Sequence, residues 1–201
     1  LGNVTSAIRV VCSEQSRGRG VMVVFNENIF SPETIIKMHA TNIDSFQSPD
    51  TGPLGSVVQG EVYFYHDKKR AKTLQKCYEP MVELLKVTMG SNAFLLDRCL
   101  EAGIKGIVIE GFGAGNVPPG WVSSIEKAIQ TGIPVVITTR CPRGSSVPLY
   151  DYLGGGKSLE SVGAIFAKHL SGPKARIKLM LLLGQSPRLS MEDIRAAFCA
   201  E

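Results

Sequence analysis

Apolar and polar positions change period twice along this chain. Over residues 3–12, Val4, Ala7, Ile8 and Val11 recur at i, i+3, i+4, i+7 spacing, which predicts the end of an amphipathic helix with these four on its core face. A turn at Arg17 to Gly20 leads into an unbroken, mostly β-branched run over 21–25, the pattern of a strand buried on both faces of a parallel sheet. Helix, turn and strand together predict an α/β sandwich. A sheet missing its earlier strands is implied, which would leave 21–25 with an unpaired apolar edge. Residues 26–33 read as loop, 34–38 as a short extended or turning segment and 44–57 as turn-rich, with Ser48, Pro49, Asp50, Gly52, Pro53 and Gly55. Residues 58–65 alternate as a strand does.

The second half has a simpler rhythm. Strands are predicted over 82–88, 106–110 and 134–138, separated by helices over 91–102 and 119–131, with Gly103, Gly106 and Gly132 in the short connections. Such alternation predicts a parallel sheet with right-handed crossovers. Three helical segments follow, at 159–170, 173–183 and 190–200, the last opened by a Ser190-Met191-Glu192-Asp193 capping signature. The expected division is therefore a first domain over 1–67, a linker over 68–79 and a second domain over 80–201.

Composition narrows the class. At 201 residues, net charge +4, 44% hydrophobic and 20% charged, the chain is globular and large enough for one or two domains. The longest apolar stretches, 133–139 and 179–183, fall far short of the roughly 20 residues that cross a bilayer, so no membrane partner is expected. The basic run over 66–76 (Lys68, Lys69, Arg70, Lys72, Lys76) has no interleaved aromatics and reads as a solvated linker, not a nucleic-acid surface. Five widely spaced cysteines without a C-x-x-C pair predict buried free thiols in a reducing, cytoplasmic compartment. Leu1 to Asn3 has neither an initiator Met nor the pattern of a signal peptide, which reads as a chain beginning partway through something longer.

The first chemical candidate is Gly111-Phe112-Gly113-Ala114-Gly115-Asn116, between a buried strand and a helix. A dinucleotide fingerprint would need Gly at position 116 or 118, where Asn116 and Pro118 stand, so the segment reads as a tight strand-exit turn. The three histidines share no metal spacing, and no metal site is expected. Lys37, among Ile35, Ile36 and Met38, could be a desolvated base, or a lysine snorkelling out of an apolar turn.

The segment Lys37-Met38-His39-Ala40-Thr41-Asn42-Ile43-Asp44-Ser45-Phe46-Gln47-Ser48-Pro49, followed by Gly52-Pro53-Leu54-Gly55, resembles the bacterial-type L-asparaginase family, which uses a threonine nucleophile. Gly20-Val21-Met22-Val23-Val24 is similar to that family's central strand, and the Gly106-to-Asn116 segment to its C-terminal-domain turn. Pro134 to Gly144 and Lys174 to Lys178 resemble its later strand-loop and helix. The resemblance implies an α/β fold: the remnant of an N-terminal asparaginase domain plus a smaller C-terminal α/β domain with a parallel sheet. It also implies hydrolysis of L-asparagine, or L-glutamine, through an acyl-threonine intermediate without a cofactor, in a homo-oligomer built as a dimer of dimers.

Residue by residue, the resemblance assigns Lys37 to the lysine of a Thr-Lys-Asp triad and Asn116 to the asparagine that reaches a neighbouring subunit's site. Tyr150 and Asp151 fall where some members offer a further substrate group. The family's Thr-Gly-Gly-Thr-Ile and Gly-Thr-Asp-Thr segments have no counterpart here, so the expectation is a fragment without its nucleophile and inactive alone. The competing reading is a non-catalytic asparaginase-like module for ligand binding or subunit pairing.

Overall fold

The computed structural model describes residues 1–67, 74 and 77–199, and most of the expected linker over 68–79 lies outside these. The chain separates into two compact units, Leu1–Thr73 and Leu74–Glu201.

In the first unit, α1 (Gly2–Cys12) packs on a four-stranded antiparallel sheet made of β1 (Val23–Phe25), β2 (Asn28–Phe30), β5 (Gly55–Val58) and β6 (Glu61–Phe64), in the order β1-β2-β5-β6. This corrects the parallel placement expected for 21–25. Val23 pairs with Phe30 and Phe25 with Asn28 in an antiparallel hairpin, and β1 lies at the sheet edge, only half-buried. The residues read as loop over 26–33 supply its turn and second strand. Asn26 and Glu27 take φ of +47° and +59°, the double left-handed geometry of a two-residue hairpin whose twist matches its strands. Gln59 and Gly60 repeat the device between β5 and β6 at φ +49° and +91°, interrupting the alternation read over 58–65. A second small ladder pairs β3 (Ile36–Lys37) with β4 (Phe46–Gln47).

The helix itself forms where predicted, yet the other face is buried. Val4, Ile8 and Val11 are exposed, whereas Val10 packs with Ile29 and Val57 into the unit's core and Ser6 is covered beside it. The Asn3 Oδ1 accepts a 2.9 Å hydrogen bond from the Asn26 amide, tying the start of the helix to the β1–β2 turn and fixing which face meets the sheet.

The second unit is a parallel sheet in the order β10-β9-β8-β7, comprising β7 (Val82–Lys86), β8 (Gly106–Gly111), β9 (Val135–Thr139) and β10 (Ile165–Phe166). Helices α2 (Phe94–Glu101), α3 (Val122–Gln130) and α4 (Gly156–Ser161) connect successive strands. Leu96, Ile125 and Leu159 pack with Ile107, Ile109 and Ile137 on one face. Strands laid down in one direction with crossovers of one hand place all their connecting helices on that side. The other face is closed by α5 (Gly172–Leu183) and α6 (Met191–Cys199), where Leu179, Leu182, Ile194 and Phe198 meet Val82, Val108, Val136 and Ile165.

One predicted helix is partly a strand. The segment over 159–170 stops being helical at Ser161, turns at Gly163 with φ +103°, and continues as β10, Ile165 and Phe166 pairing in parallel with Val136 and Ile137. A short apolar run reads equally well at either period, and burial on both faces of the sheet decides it. The predicted cap on α6 is present: the Ser190 hydroxyl accepts from the Asp193 amide at 3.1 Å while Asp193 Oδ2 accepts from the Ser190 amide at 3.0 Å. The Ser190 hydroxyl and amide together hold the Asp193 carboxyl below its ordinary range.

The cysteines depart from expectation. All five are free, but Cys12, Cys77, Cys141 and Cys199 are exposed and Cys99 alone is half-covered. Burial, helped by the Glu83 carboxylate, pushes the Cys99 thiol up. Alkylation with iodoacetamide at pH 8 should therefore label the other four before Cys99, as peptide mass spectrometry would follow. Leu179, fully buried between α5 and β8, should cost about 2–5 kcal/mol as Leu179→Ala, read by urea unfolding.

Candidate functional site

β8 is buried along its whole length, so its chain must turn sharply on leaving the sheet at its carboxyl end. Phe112 and Asn116 exchange backbone hydrogen bonds of 2.8 and 2.9 Å around Gly113-Ala114-Gly115. Gly113 and Gly115 have φ of +49° and +111°, and a Cβ on Gly115 would lie 2.8 Å from Ile137 Cγ2. The turn read as a tight strand exit is thus pressed onto β9, with no room for side chains at its base. Asn116 sits at its end. Its Nδ2 makes a long 3.4 Å contact with the Phe112 carbonyl, and its Oδ1 is buried without a hydrogen-bond donor among the described residues.

The loop leaving β9 packs alongside. Thr139 Oγ1 donates to the Gly113 carbonyl at 2.5 Å and accepts from the Cys141 amide at 3.0 Å, while the Val147 amide donates to the Ala114 carbonyl at 2.9 Å. The Arg140 guanidinium lies 4.4 Å from the Phe112 ring centroid, a cation–π contact. Ser146, fully buried, donates its hydroxyl to the carbonyls of Ile137 (3.2 Å) and Lys168 (3.1 Å). The chain then passes through Tyr150 and Asp151, both exposed, and returns to Asn116's neighbour, the Val117 amide donating to the Gly154 carbonyl at 2.9 Å. The Tyr150 and Tyr152 rings stand 5.9 Å apart. Asn116, Tyr150 and Asp151 therefore belong to one cluster of loops at the carboxyl edge of the parallel sheet, where ligands of α/β proteins gather.

Lys37 belongs to the first unit. It pairs with Phe46 across the β3–β4 ladder, is exposed, and holds its Nζ 5.7 Å from the Phe46 ring centroid. Among the described residues its side chain is exposed, as a snorkelling lysine's would be. The hairpin loop beyond it is organised by His39, whose Nδ1 accepts from the amides of Thr41 (3.1 Å) and Asn42 (3.0 Å). Elsewhere in this unit an open cavity of about 460 Å³, lined in part by Ser31, Thr34, Thr51, His66 and Asp67, holds none of the predicted site residues. Among the described residues no cluster of His, Cys, Asp and Glu could hold a metal ion, and no helix is long and apolar enough to cross a membrane.

Each of the two units matches a family model. The glutaminase/asparaginase C-terminal domain model matches residues 81–198, and the N-terminal asparaginase model matches residues 1–70. The chain belongs to the glutaminase/asparaginase family. It is 35% identical to an L-asparaginase of Bacillus licheniformis over 98% of its own length and 60% of that protein's, and 35% identical to a probable L-asparaginase of Deinococcus radiodurans over 98% and 61%. One component of the glutamyl-tRNA(Gln) amidotransferase of Methanosarcina barkeri is 31% identical over 75% of this chain and 36% of the relative. Among solved structures, a probable cytoplasmic L-asparaginase from Campylobacter jejuni superposes with a TM-score of 0.85 at 29% identity, over 98% of this chain and 63% of that one. The chain thus spans about 60% of the length of the L-asparaginases it matches.

Sequence reasoning finds the Asn116 turn through its glycines but passes over Thr139, which bonds to it, and Ser146, which ties the neighbouring loop to β9. The signal is available in principle: hydroxyls at the buried exit of a strand must find partners, and Thr138 and Thr139 stand together there, Thr138 donating to the Leu170 carbonyl at 2.6 Å. The glycine constraint predicts that Gly115→Ala destabilises the protein by about 1–3 kcal/mol, whereas Gly120→Ala, whose Cβ would meet open space, leaves the thermal midpoint essentially unchanged.

Proposed function

We propose that this chain contributes the lysine-bearing and C-terminal parts of an L-asparagine amidohydrolase, which converts L-asparagine and water to L-aspartate and ammonia. The observation that carries the reading is Asn116: a buried carboxamide oxygen lacking a donor among the described residues, at the carboxyl edge of a parallel sheet, is completed by an N–H group, and an amino-acid amide brings both an ammonium and a carboxamide. Support comes also from the L-asparaginase relatives, which align along 98% of the chain, against 75% for the amidotransferase component.

On this reading the substrate's amide carbon is attacked by a threonine hydroxyl, ammonia leaves, and water hydrolyses the acyl-threonine ester. The threonine comes from sequence outside these 201 residues, since the family's two threonine-bearing segments have no counterpart here and the matched L-asparaginases are longer. Lys37 handles the proton that leaves the attacking hydroxyl, its stem held by the β3–β4 ladder. Asn116 serves substrate in the site of a neighbouring copy, with Tyr150 and Asp151 on the same rim, so the working enzyme is a homo-oligomer. The domains run over 1–67 and 80–201 with 68–79 between them. The cytoplasm, where five free cysteines stay reduced, is its compartment.

The test uses the polypeptide translated from the gene's own start codon. Lys37→Met should lower kcat for L-asparagine by about 10²–10⁴-fold with little change in thermal midpoint, because the β3–β4 ladder that carries it is paired through backbone. Turnover equal to the parent protein would remove Lys37 from the chemistry. Absence of ammonia release by the parent itself would favour the non-catalytic module.

A further inference from the structure

We propose that Thr139 is the positioning residue for Asn116, acting through a single hydroxyl that joins two loops. Thr139 ends β9 and is buried, so its Oγ1 proton and lone pairs must be used locally. The proton goes to the Gly113 carbonyl at 2.5 Å, inside the turn that ends at Asn116, and the Cys141 amide donates to the oxygen at 3.0 Å, inside the loop that carries Arg140. One side chain thereby fixes the height of the Gly113-Ala114-Gly115 turn against β9 and the start of the neighbouring loop.

The remaining ties leave this hydroxyl a specific task. The Val147 amide holds Ala114 and the Arg140 amide meets the Gly111 carbonyl at 3.1 Å, both through backbone that any residue other than proline supplies. At the crest of the turn, Thr139 contributes the side-chain contact. Asn116 itself is poorly anchored, its carboxamide resting on the 3.4 Å contact to Phe112, so the direction of that group follows the turn that bears it. Val at position 139 keeps the shape and β-propensity of threonine but leaves the Gly113 carbonyl without its donor; Ser keeps both hydrogen bonds.

This inference rests on the amidohydrolase reading for its kinetic arm, and the experiment separates the two. In the polypeptide made from the gene's own start codon, Thr139→Val should raise KM for L-asparagine about tenfold, as expected for one displaced polar contact, with kcat little changed. Thr139→Ser should restore the parent KM. Combined with Asn116→Ala, Thr139→Val should add no further rise, because the hydroxyl acts through that side chain. An unchanged KM in Thr139→Val, or a full additive rise on top of Asn116→Ala, would overturn the proposal. The Asn116 side-chain amide resonance supplies a readout independent of turnover: it should move in Thr139→Val and stay in Thr139→Ser. If the parent releases no ammonia, the functional reading fails while this resonance still decides the positioning role, and a resonance unmoved in Thr139→Val refutes it.

Discussion

The second unit depends on burying β8 completely. All six of its residues are covered, its backbone is paired to β7 on one side and β9 on the other, and helices close both faces. A strand so enclosed can meet solvent chemistry at its ends alone. Glu110, its one charged residue, shows the cost of the rule: it is paired with Lys86 at 2.9 Å and lies so close to the start of α5 that a Cβ on Gly172 would collide with its carboxylate. One residue later the chain must leave the sheet, and the glycine turn to Asn116 is how it does so. The polar groups gathered there follow from the apolar enclosure beneath them.

The first unit solves a different problem, holding short strands in register with little core. Val10, Ile29 and Val57 are its buried hydrophobic centre, and two tight turns with paired left-handed residues set the hairpins. Gly55 has no alternative in β5, since a Cβ there would collide with the Tyr63 carbonyl oxygen. Against this frame the β3–β4 ladder presents Lys37 outward and lets His39 fold the following loop. The lysine's place is set by register: Lys37 stands opposite Phe46, and a slip of one residue would turn it to the other face.

Much of the second unit is legible in sequence because its strands are long apolar runs and its helices have clear starts and stops. The cap at Ser190 and the strand-exit turn at Gly111 to Asn116 both rest on residue types with few alternatives. β10 is not legible, since two residues of strand inside an apolar stretch carry no period, and pairing with Val136 and Ile137 is a long-range fact. In the first unit the hairpin at Asn26 and Glu27 escapes a sequence reading because glutamate is a poor marker of left-handed backbone. The buried face of α1 escapes it because helical spacing alone favours Val4, Ile8 and Val11 over Val10. Lys37 and Asn116 enter the proposed site by resemblance, while Thr139 becomes visible only once β8 and β9 are adjacent.

The Lys37 hairpin and the Asn116 turn are, on the function proposed here, parts of an amidohydrolase whose nucleophile is supplied by sequence beyond these residues. The most direct measurement is ammonia release from L-asparagine by the 201-residue chain and, side by side, by the polypeptide translated from the gene's own start codon. Release is predicted from the longer polypeptide alone. Release by the 201-residue chain would contradict this and place the nucleophile within the residues described here, with Thr41 in the His39 loop the first to test; silence from both would contradict the amidohydrolase itself.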